Sequence, residues 1–332
     1  MKSDNSKTLD FVPARSKAVH SLSIVIPVYN SATIITTLSE SVISSNTGYR
    51  LQLVLVNDGS IDGSDKVCEA LAKKYPGEVT FVNLSRNVGE HNAVMAGLAH
   101  ARSDYCVIMD DDFQNPPEEA YRLADAAIAE KRDIVFSAFD KKRHHWFRNL
   151  GSSLANYTAR KLMNLPEGLY LSSFKCLSRF TVDCVLSYGG PFPYVDGLAL
   201  RATRNIGVLF TEHRPTVKKK SGYTVEKLMK LFAVMTINFS VVPLRIGSIL
   251  GVLFSIVGLG GSVYVIAEKL KNPAMPVGWP SLIVAILILS GAQLLILGVI
   301  GEYLGQMFLT LNGTPQYIVR NVVEEKAPGC GD

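Results

Sequence analysis

Three consecutive aspartates, Asp110 to Asp112, directly follow an apolar stretch from Tyr105 to Met109. The stretch predicts a buried strand, so the carboxylates stand at its end, where the core cannot neutralise them. They repel one another without a cation. A hard divalent ion, Mg²⁺ or Mn²⁺, that bridges carboxylates and a nucleotide diphosphate would relieve the repulsion and assist the leaving group. Asp110 and Asp112 are the natural pair of ligands. For three acids taken alone, a solvated acidic turn is the alternative.

The elements that must position these acids alternate between strand and helix. The predicted strands are Leu22 to Val28, Leu51 to Val56, Val79 to Leu84, Tyr105 to Met109 and Ile134 to Ala138, and the helices between them are Ala32 to Ser45, Ser64 to Lys74, His91 to Ala101 and Glu118 to Glu130. This order predicts a doubly wound α/β sheet. Such sheets bind ligands beyond the carboxyl ends of their strands, where Asn30, Asp58 and Asp110 fall.

Two stretches in the last third of the chain, Ile246 to Ala267 and Ser281 to Gly301, contain no charged residue. Each has about the 20 residues that a helix needs to span a bilayer. They predict a transmembrane hairpin over residues 244–303, with a pair of buried core helices as the alternative. The preceding segment, 223–243, carries apolar residues at helical spacing and predicts an amphipathic helix on the membrane surface, or one packed on the catalytic domain.

The expected topology keeps the large domain, residues 21–222, in the cytoplasm. The tail at 1–20 is polar and has no apolar run of the signal-peptide kind. A hairpin then returns the tail at 304–332 to the same side, and Arg245 and Arg320 agree with this orientation. Five cysteines without a metal-type CxxC pair fit a reducing compartment.

Basic residues form two clusters, Lys141 to Arg143 and Lys218 to Lys220, although the net charge is only +5. Both clusters precede the membrane segment, where anionic headgroups or a lipid phosphate would be met. A solvated loop face is the alternative for each. We expect a membrane partner and no nucleic acid.

Four sequence blocks resemble the GT-A domain of family 2 glycosyltransferases and occur in that family's order. They are SIVIPVYN at Ser23–Asn30, VNDGSIDGS at Val56–Ser64, LSRNVGEHNAVMAG at Leu84–Gly97 and MDDDFQNPPEE at Met109–Glu119. The run Gln114–Glu119 and Trp146-Phe147-Arg148 are similar to the branch that includes dolichyl-phosphate mannose synthases and bacterial undecaprenyl-phosphate aminoarabinose transferases. The resemblance covers about residues 21 to 320. It implies a Rossmann-like GT-A sheet and, as in relatives, a homo-tetramer.

The resemblance implies roles for individual residues on the donor side. Pro27, Tyr29 and Asn30 line the base and ribose pocket, Asp58 contacts the nucleobase, and Asp111 belongs to the same nucleotide site. Asp110 and Asp112, with Gln114, hold the metal and the diphosphate.

On the acceptor side, the resemblance implies that Arg148 grips the acceptor phosphate, since a guanidinium offers paired donors to phosphate oxygens. Many relatives carry an arginine where this chain has Phe139, so Lys141, Lys142 or Arg143 serves instead. Lys219 and Lys220 belong to KKSGYT, which resembles the loop that closes beside the acceptor. The run LYLSSFK, Leu169 to Lys175, lacks the acid of relatives. Asp196 either shapes sugar binding or is a structural turn acid.

A phosphate monoester, with a second pKa of about 6, is largely ionised near neutral pH and needs no protein base to attack an anomeric carbon. The predicted reaction is therefore inverting transfer of a hexose or pentose from a nucleotide sugar, with UDP favoured, to undecaprenyl phosphate. Its product is a polyprenyl-monophosphate sugar for cell-envelope glycan or lipopolysaccharide modification. The expected location is the inner membrane of a bacterium, as a multi-pass protein.

Two other functions compete with this prediction. A polysaccharide-extending glycosyltransferase would carry a base carboxylate and a QxxRW-type motif, which the chain lacks. A non-catalytic membrane scaffold would not need Asp58, Asp110, Asp112 and Arg148. The chain also lacks a Ser-His-Asp arrangement, zinc-ligand spacing and a GxxxxGK[ST] loop. These absences argue against the commonest classes of hydrolase, metalloprotease and NTPase.

Overall fold

The computed structural model describes residues 20–138, 171–212, 214, 242–271 and 278–325. The chain forms two compact units, one of Met1–Ser221 with Pro315–Asp332 and the other of Gly222–Thr314. Several predictions lie outside the described residues: the amphipathic helix up to residue 241, and the acceptor-side residues Phe139, Lys141, Lys142, Arg143, Arg148, Lys219 and Lys220.

The first unit contains eight described strands and six described helices. In chain order they are β1 (Ser21–Val28), α1 (Ile35–Ser44), β2 (Arg50–Asn57), α2 (Ser64–Lys74), β3 (Val79–Leu84), α3 (Glu90–His100), β4 (Tyr105–Ile108), α4 (Pro117–Ala129), β5 (Ile134–Ala138), β6 (Lys175–Ser178), α5 (Arg179–Leu186), α6 (Val195–Ala202), β7 (Ile206–Phe210) and, after the second unit, β8 (Val319–Glu324). The predicted bounds of α2, β3 and β5 are confirmed. Helix α1 begins three residues later than predicted, because the preceding loop is held by side-chain hydrogen bonds.

All eight strands form one sheet in the order β7-β5-β6-β4-β1-β2-β3-β8. Its centre, β4-β1-β2-β3, is parallel, with Val25 opposite Ile108 and Val54 opposite Thr80. Strand β6 is antiparallel to β4 and β5, and β8 is antiparallel to β3. The sheet is therefore mixed, whereas the sequence predicted β1 to β5 and none of β6, β7 and β8. The sequence of β6, KCLS, is too short and too polar to be recognised by periodicity.

Helices cover both faces of the central strands, which confirms the doubly wound arrangement. Residues such as Ile24 and Ile26 of β1 share a buried core with α1, α2 and α4. On the opposite face, α3 packs so closely that a Cβ at Gly97 would lie 2.3 Å from Val25 Cγ1. Because both faces are buried, the strands are nearly continuous apolar runs. This rigid centre carries the loops of the candidate site.

The second unit contains two long helices, α7 (Val242–Lys271) and α8 (Trp279–Leu311). Within the described residues, one segment is long and apolar enough to cross a membrane, Ile288–Leu311, and it overlaps the predicted second span. A shorter apolar helix, Gly247–Gly261, lies inside the predicted first span. The structure thus provides one candidate span by length and composition, and the two-span hairpin stays a prediction.

The segment expected to be a tail, 304–332, is in part a structural element of the first unit. Helix α8 continues to Leu311, and β8 extends the sheet beside β3. Arg102 forms a two-pronged ion pair with Glu324 at 2.8 and 2.7 Å, and Asn83 Nδ2 donates to Asn321 Oδ1 at 3.1 Å. Without β8, the main-chain groups along one side of β3 would be left unpaired. Only two residues of β8 are half-buried, so its apolar pattern is weak.

Candidate active site

The predicted donor-side residues meet at the point where the strand order reverses. From β1 the chain continues to β2 and β3 on one side, whereas β4 lies on the other side of β1. Loops that leave neighbouring parallel strands in opposite directions open a crevice at their carboxyl ends. Tyr29 and Asn30 follow β1, Asp58 follows β2, and Asp110 to Gln114 follow β4. Pro27 lies within β1, opposite Val56.

Asp110 is fixed by a hydroxyl from the segment that leads into β6. Ser173 Oγ donates to Asp110 Oδ2 at 2.6 Å. Burial raises the pKa of Asp110, the hydrogen bond from Ser173 opposes the rise, and the charge of Asp112 adds to it. Asp112 therefore lies close enough for its charge to disfavour ionisation of Asp110.

Asp112 and Gln114 shape the turn that follows Asp110. The Gln114 amide donates to Asp112 Oδ1 at 3.0 Å, and Gln114 O accepts from the amide of Arg214 at 2.8 Å. Phe113, between them, has φ +63°, in the left-handed region that is uncommon for a residue with a bulky side chain. These contacts hold the acidic loop in a sharp turn.

Asp111 is directed differently from its two neighbours. The amide of Tyr29 donates to Asp111 Oδ2 at 3.0 Å, and the hydroxyl of Ser31 donates to the same oxygen. The middle aspartate therefore connects the loop after β4 with the loop after β1. Its place at the nucleotide site stays a prediction.

Asn30 has a left-handed backbone with φ +51°, a conformation that asparagine tolerates better than most residues. Its amide donates to Ser60 Oγ at 3.1 Å, and its Oδ1 accepts from the amide of Ile61 at 3.0 Å. The loops after β1 and β2 are thereby held together. Tyr29, beside it, is 48% exposed, so its ring lines solvent-accessible space.

Asp58 is only 3% exposed, and its carboxylate holds the loop between β3 and α3. Oδ1 accepts from the amide of Val88 at 2.7 Å and Oδ2 from that of Gly89 at 3.0 Å. Burial raises the pKa of Asp58, and the two backbone hydrogen bonds oppose the rise. The structure thus gives Asp58 a role in shaping the pocket, and its contact with a nucleobase stays a prediction.

Asp196, the candidate sugar-binding residue, lies in the first turn of α6 and is 7% exposed. Its carboxylate forms an ion pair with Lys175, which begins β6 and is 3% exposed. Lys175 Nζ also donates to Ser172 O at 3.4 Å. Sequence reasoning missed this partner, although Lys175 belongs to the run that departs from the family pattern. A sugar contact by Asp196 stays a prediction.

Glu90 is a further residue that the sequence did not single out, although it lies in the resembling block Leu84–Gly97. It begins α3 and is exposed, although protein atoms crowd its carboxylate and the charges of Asp110 and Lys175 act on it. This partial desolvation raises its pKa to about 7, the charge of Asp110 adds to the rise, and Lys175 opposes it. The next residue, His91, has its pKa lowered by burial and packs edge-on against Tyr194 at 5.1 Å.

The donor set of the acidic loop fits a cation that is shared with a substrate. Within the described ranges, no three histidine, cysteine, aspartate or glutamate side chains form a metal-binding group. Mg²⁺ in nucleotide enzymes is commonly held by one or two carboxylates, with substrate phosphates completing its coordination. Asp110 and Asp112, mutually repelling on one loop, match that requirement.

The chain is similar to several known proteins. The family model described as Glycosyl transferase family 2 matches residues 23–185. The undecaprenyl-phosphate 4-deoxy-4-formamido-L-arabinose transferase of Edwardsiella ictaluri (strain 93-146) is 30% identical over 320 residues, which cover 94% of this chain and 97% of that protein. The protein of the same name from Proteus mirabilis (strain HI4320) is 30% identical over 314 residues, 93% of this chain and 96% of its own.

Among solved structures, a glucosyl-3-phosphoglycerate synthase from Mycobacterium tuberculosis in complex with Mn²⁺, uridine diphosphate and phosphoglyceric acid is similar to this chain. The TM-score is 0.49 at 18% identity, over 65% of this chain and 77% of that one.

Proposed function

Because the chain belongs to glycosyl transferase family 2 and is a glycosyltransferase, we propose that it transfers a sugar from a nucleotide sugar to undecaprenyl phosphate with inversion at the anomeric carbon. The observation that carries the proposal is the crevice between β1 and β4, where the acidic loop faces the loop of Tyr29 and Asn30. The printed name of the two relatives supports undecaprenyl phosphate as the acceptor. The product is a polyprenyl-monophosphate sugar for modification of cell-envelope glycan or lipopolysaccharide.

The donor is a nucleotide sugar, with UDP favoured, whose base and ribose occupy the pocket of Pro27, Tyr29 and Asn30. The ordered contacts of Asn30 and Asp58 support this assignment, because they fix the pocket walls before a ligand arrives. Such preorganisation limits the entropy that is lost on binding.

Asp110 and Asp112, with Gln114, would hold Mg²⁺ or Mn²⁺ together with the diphosphate. The bound ion would neutralise the charge that develops on the departing nucleoside diphosphate. Ser173 supports the assignment of Asp110 to this role, since its hydroxyl keeps the Asp110 carboxylate oriented. The Asp110 side chain therefore does not have to reorient during the reaction.

The acceptor needs orientation more than activation, because its phosphate is already an anionic nucleophile near neutral pH. We assign that task to Arg148, helped by Lys142, Arg143, Lys219 and Lys220. Their basic charge would draw the acceptor phosphate toward the donor, and Arg148 would fix its oxygens with paired hydrogen bonds. We assign to Asp196 a contact with the transferred sugar.

Two membrane spans in a multi-pass arrangement agree with the course of the chain. Strand β8 follows both helices, yet it pairs with β3 in the domain that precedes them. The two ends of the helical unit therefore belong to one compartment, which requires an even number of crossings. If the apolar part of α8 crosses once, the segment Ile246 to Ala267, which includes the apolar helix Gly247–Gly261, is the partner crossing. We place the domain on the cytoplasmic face of a bacterial inner membrane, in a homo-tetramer.

Transfer from a panel of radiolabelled nucleotide sugars to undecaprenyl phosphate, in detergent with Mg²⁺ or Mn²⁺, tests this function. Wild type is compared with Asp112→Ala and Arg148→Ala, and Lys73→Ala serves as a control because its exposed pair with Glu69 contributes little. We expect one donor to label the lipid and both site variants to abolish labelling. Bound nucleotide without labelled lipid would instead favour another acceptor, and no nucleotide binding would favour a scaffold.

A further inference from the structure

Two loops face each other across the crevice, and one side chain connects them. The first loop, Tyr29 to Ala32, leaves β1, and the second, Asp110 to Gln114, leaves β4. Their strands are adjacent and parallel, but the chain continues from β1 toward β2 and from β4 toward β5, which lie toward opposite edges of the sheet. The recorded backbone pairing of β1 with β4 ends at Val25 opposite Ile108, with Met109 N donating to Val25 O, before either loop begins.

Asp111 supplies that connection through a single carboxylate oxygen. Oδ2 accepts both from the amide of Tyr29 at 3.0 Å and from the hydroxyl of Ser31. Ser31 is 1% exposed, so this contact is made at the protected base of the loop. Because both donors share one oxygen, loss of that oxygen removes both contacts at once.

The far end of the same loop is held independently by the loop after β2. The amide of Ser31 donates to Ser64 Oγ at 2.9 Å, and the amide of Ala32 donates to Asp62 Oδ2 at 3.0 Å. Asp62 Oδ1 in turn accepts from the Ser64 hydroxyl at 2.5 Å. The loop is therefore anchored on the β2 side by Asp62 and on the β4 side by Asp111.

We propose that Asp111 is a positioning residue, which fixes the nucleotide-pocket wall at Tyr29 relative to the acidic loop. Its role differs from the one that we assign to Asp110 and Asp112, its neighbours in the chain. The carboxylate oxygen of Asp111 accepts hydrogen bonds from the protein, whereas Asp110 and Asp112 act on a ligand by their charge. This inference rests on the proposed function. If it holds, the carboxylate of Asp111 sets the distance between the base pocket and the diphosphate site.

The test measures binding of UDP, with GDP and CDP alongside, by titration calorimetry of the full chain in detergent with Mn²⁺. Asp111→Ala removes the acceptor oxygen, whereas Asp111→Asn keeps one and loses the charge. We expect Asp111→Ala to weaken binding about tenfold and Asp111→Asn to stay within about threefold of wild type. The Mn²⁺ concentration for half-maximal UDP binding should be the same in Asp111→Asn as in wild type.

Ser31→Ala and the double variant Ser31→Ala/Asp111→Ala test whether the two residues act as one unit. We expect the double variant to bind no more weakly than Asp111→Ala, because the Ser31 contact is already lost there. Glu69→Ala, an exposed carboxylate on α2, controls for loss of a negative charge, and thermal unfolding verifies that each variant is folded.

Two results would overturn the inference. One is an Asp111→Asn variant as weak as Asp111→Ala with a higher Mn²⁺ requirement, which would make Asp111 a ligand by charge. The other is an Asp111→Ala variant that binds like wild type. If wild type binds none of the three nucleotides, the proposed donor fails and the inference fails with it, an outcome that is distinguishable from both.

Discussion

Lys175 and Asp196 form an ion pair within the protein interior, although they belong to different elements, β6 and α6. Lysine and aspartate are almost never fully buried unless they are paired. Lys175 Nζ also lies 6.0 Å from the centre of the Phe136 ring, and Asp196 occupies a first helical turn, where a negative charge is favoured. The ion pair therefore connects the sheet to helix α6.

Lys175→Met should destabilise the protein by about 3–5 kcal/mol, because it leaves the Asp196 carboxylate buried without its partner. The double variant Lys175→Met/Asp196→Leu should recover most of that loss, since no buried charge remains. Urea unfolding followed by circular dichroism measures both. Lys73→Met, in an exposed pair, should cost less than about 1 kcal/mol. A double variant as unstable as the single one would contradict this account.

Glu90→Gln should stabilise the ligand-free protein more at pH 8 than at pH 5. Because the pKa of Glu90 is raised from 4.5 to about 7 in the fold, the folded state holds an extra proton between those values. Stability is therefore lost as the pH rises through that window, and glutamine removes the loss. Melting temperatures are measured at both pH values with a chelator present. The difference between Glu90→Gln and wild type should be larger at pH 8 than at pH 5, whereas the difference between Glu69→Gln and wild type should be the same at both.

Ser173→Ala should reduce transfer about tenfold or more, because Asp110 loses the hydroxyl that donates to it at 2.6 Å. That hydrogen bond lowers the pKa of Asp110, so its loss should move the acidic limb of the pH–rate profile to higher pH. Ser187→Ala serves as the matched control, since its hydroxyl donates to the main chain of Cys184 on an exposed turn. An unchanged acidic limb in Ser173→Ala would argue against this role.

Gly97→Ala should destabilise the first unit by about 1–3 kcal/mol through overpacking. The new methyl group would lie 2.3 Å from Val25 Cγ1 and 3.0 Å from Val56 Cγ2, and both valines are fully buried. Gly189→Ala, where a Cβ meets open space, should change stability by no more than about 0.5 kcal/mol. Equal melting temperatures for the two variants would show that α3 can move away from the sheet at little cost.

The sequence was sufficient for the parallel centre of the fold because each of its strands is a buried apolar run between recognisable helices. It also located the crevice, since the acids and Asn30 follow strands whose ends meet at the switch of strand order. Strands β6 and β8 were missed for a physical reason. Each is short, and each is held by pairing with a strand distant in sequence more than by its own apolar pattern.

The environment of individual site residues was less predictable than their location. The raised pKa of Glu90 comes from partial desolvation by surrounding protein atoms and from the charge of Asp110, while Lys175 opposes the rise, and these residues come from three separate parts of the fold. The direction of Asp111 likewise depends on the contact between the loops after β1 and β4. Such properties arise where residues that are distant in the sequence meet in the fold, and the local spacing of residues does not reveal these contacts.

The pairing of β8 with β3 has a consequence for biosynthesis. Ser85 and Arg320, which meet beside this pair, are 235 residues apart in the chain. At the usual elongation rate, a ribosome takes on the order of ten seconds or more to cover that interval. Throughout this time the nascent domain has an open sheet edge, and helices α7 and α8 emerge before the strand that closes it. Completion of the first unit therefore has to wait for synthesis of both apolar helices, so the enzyme can mature only after α7 and α8 have been made.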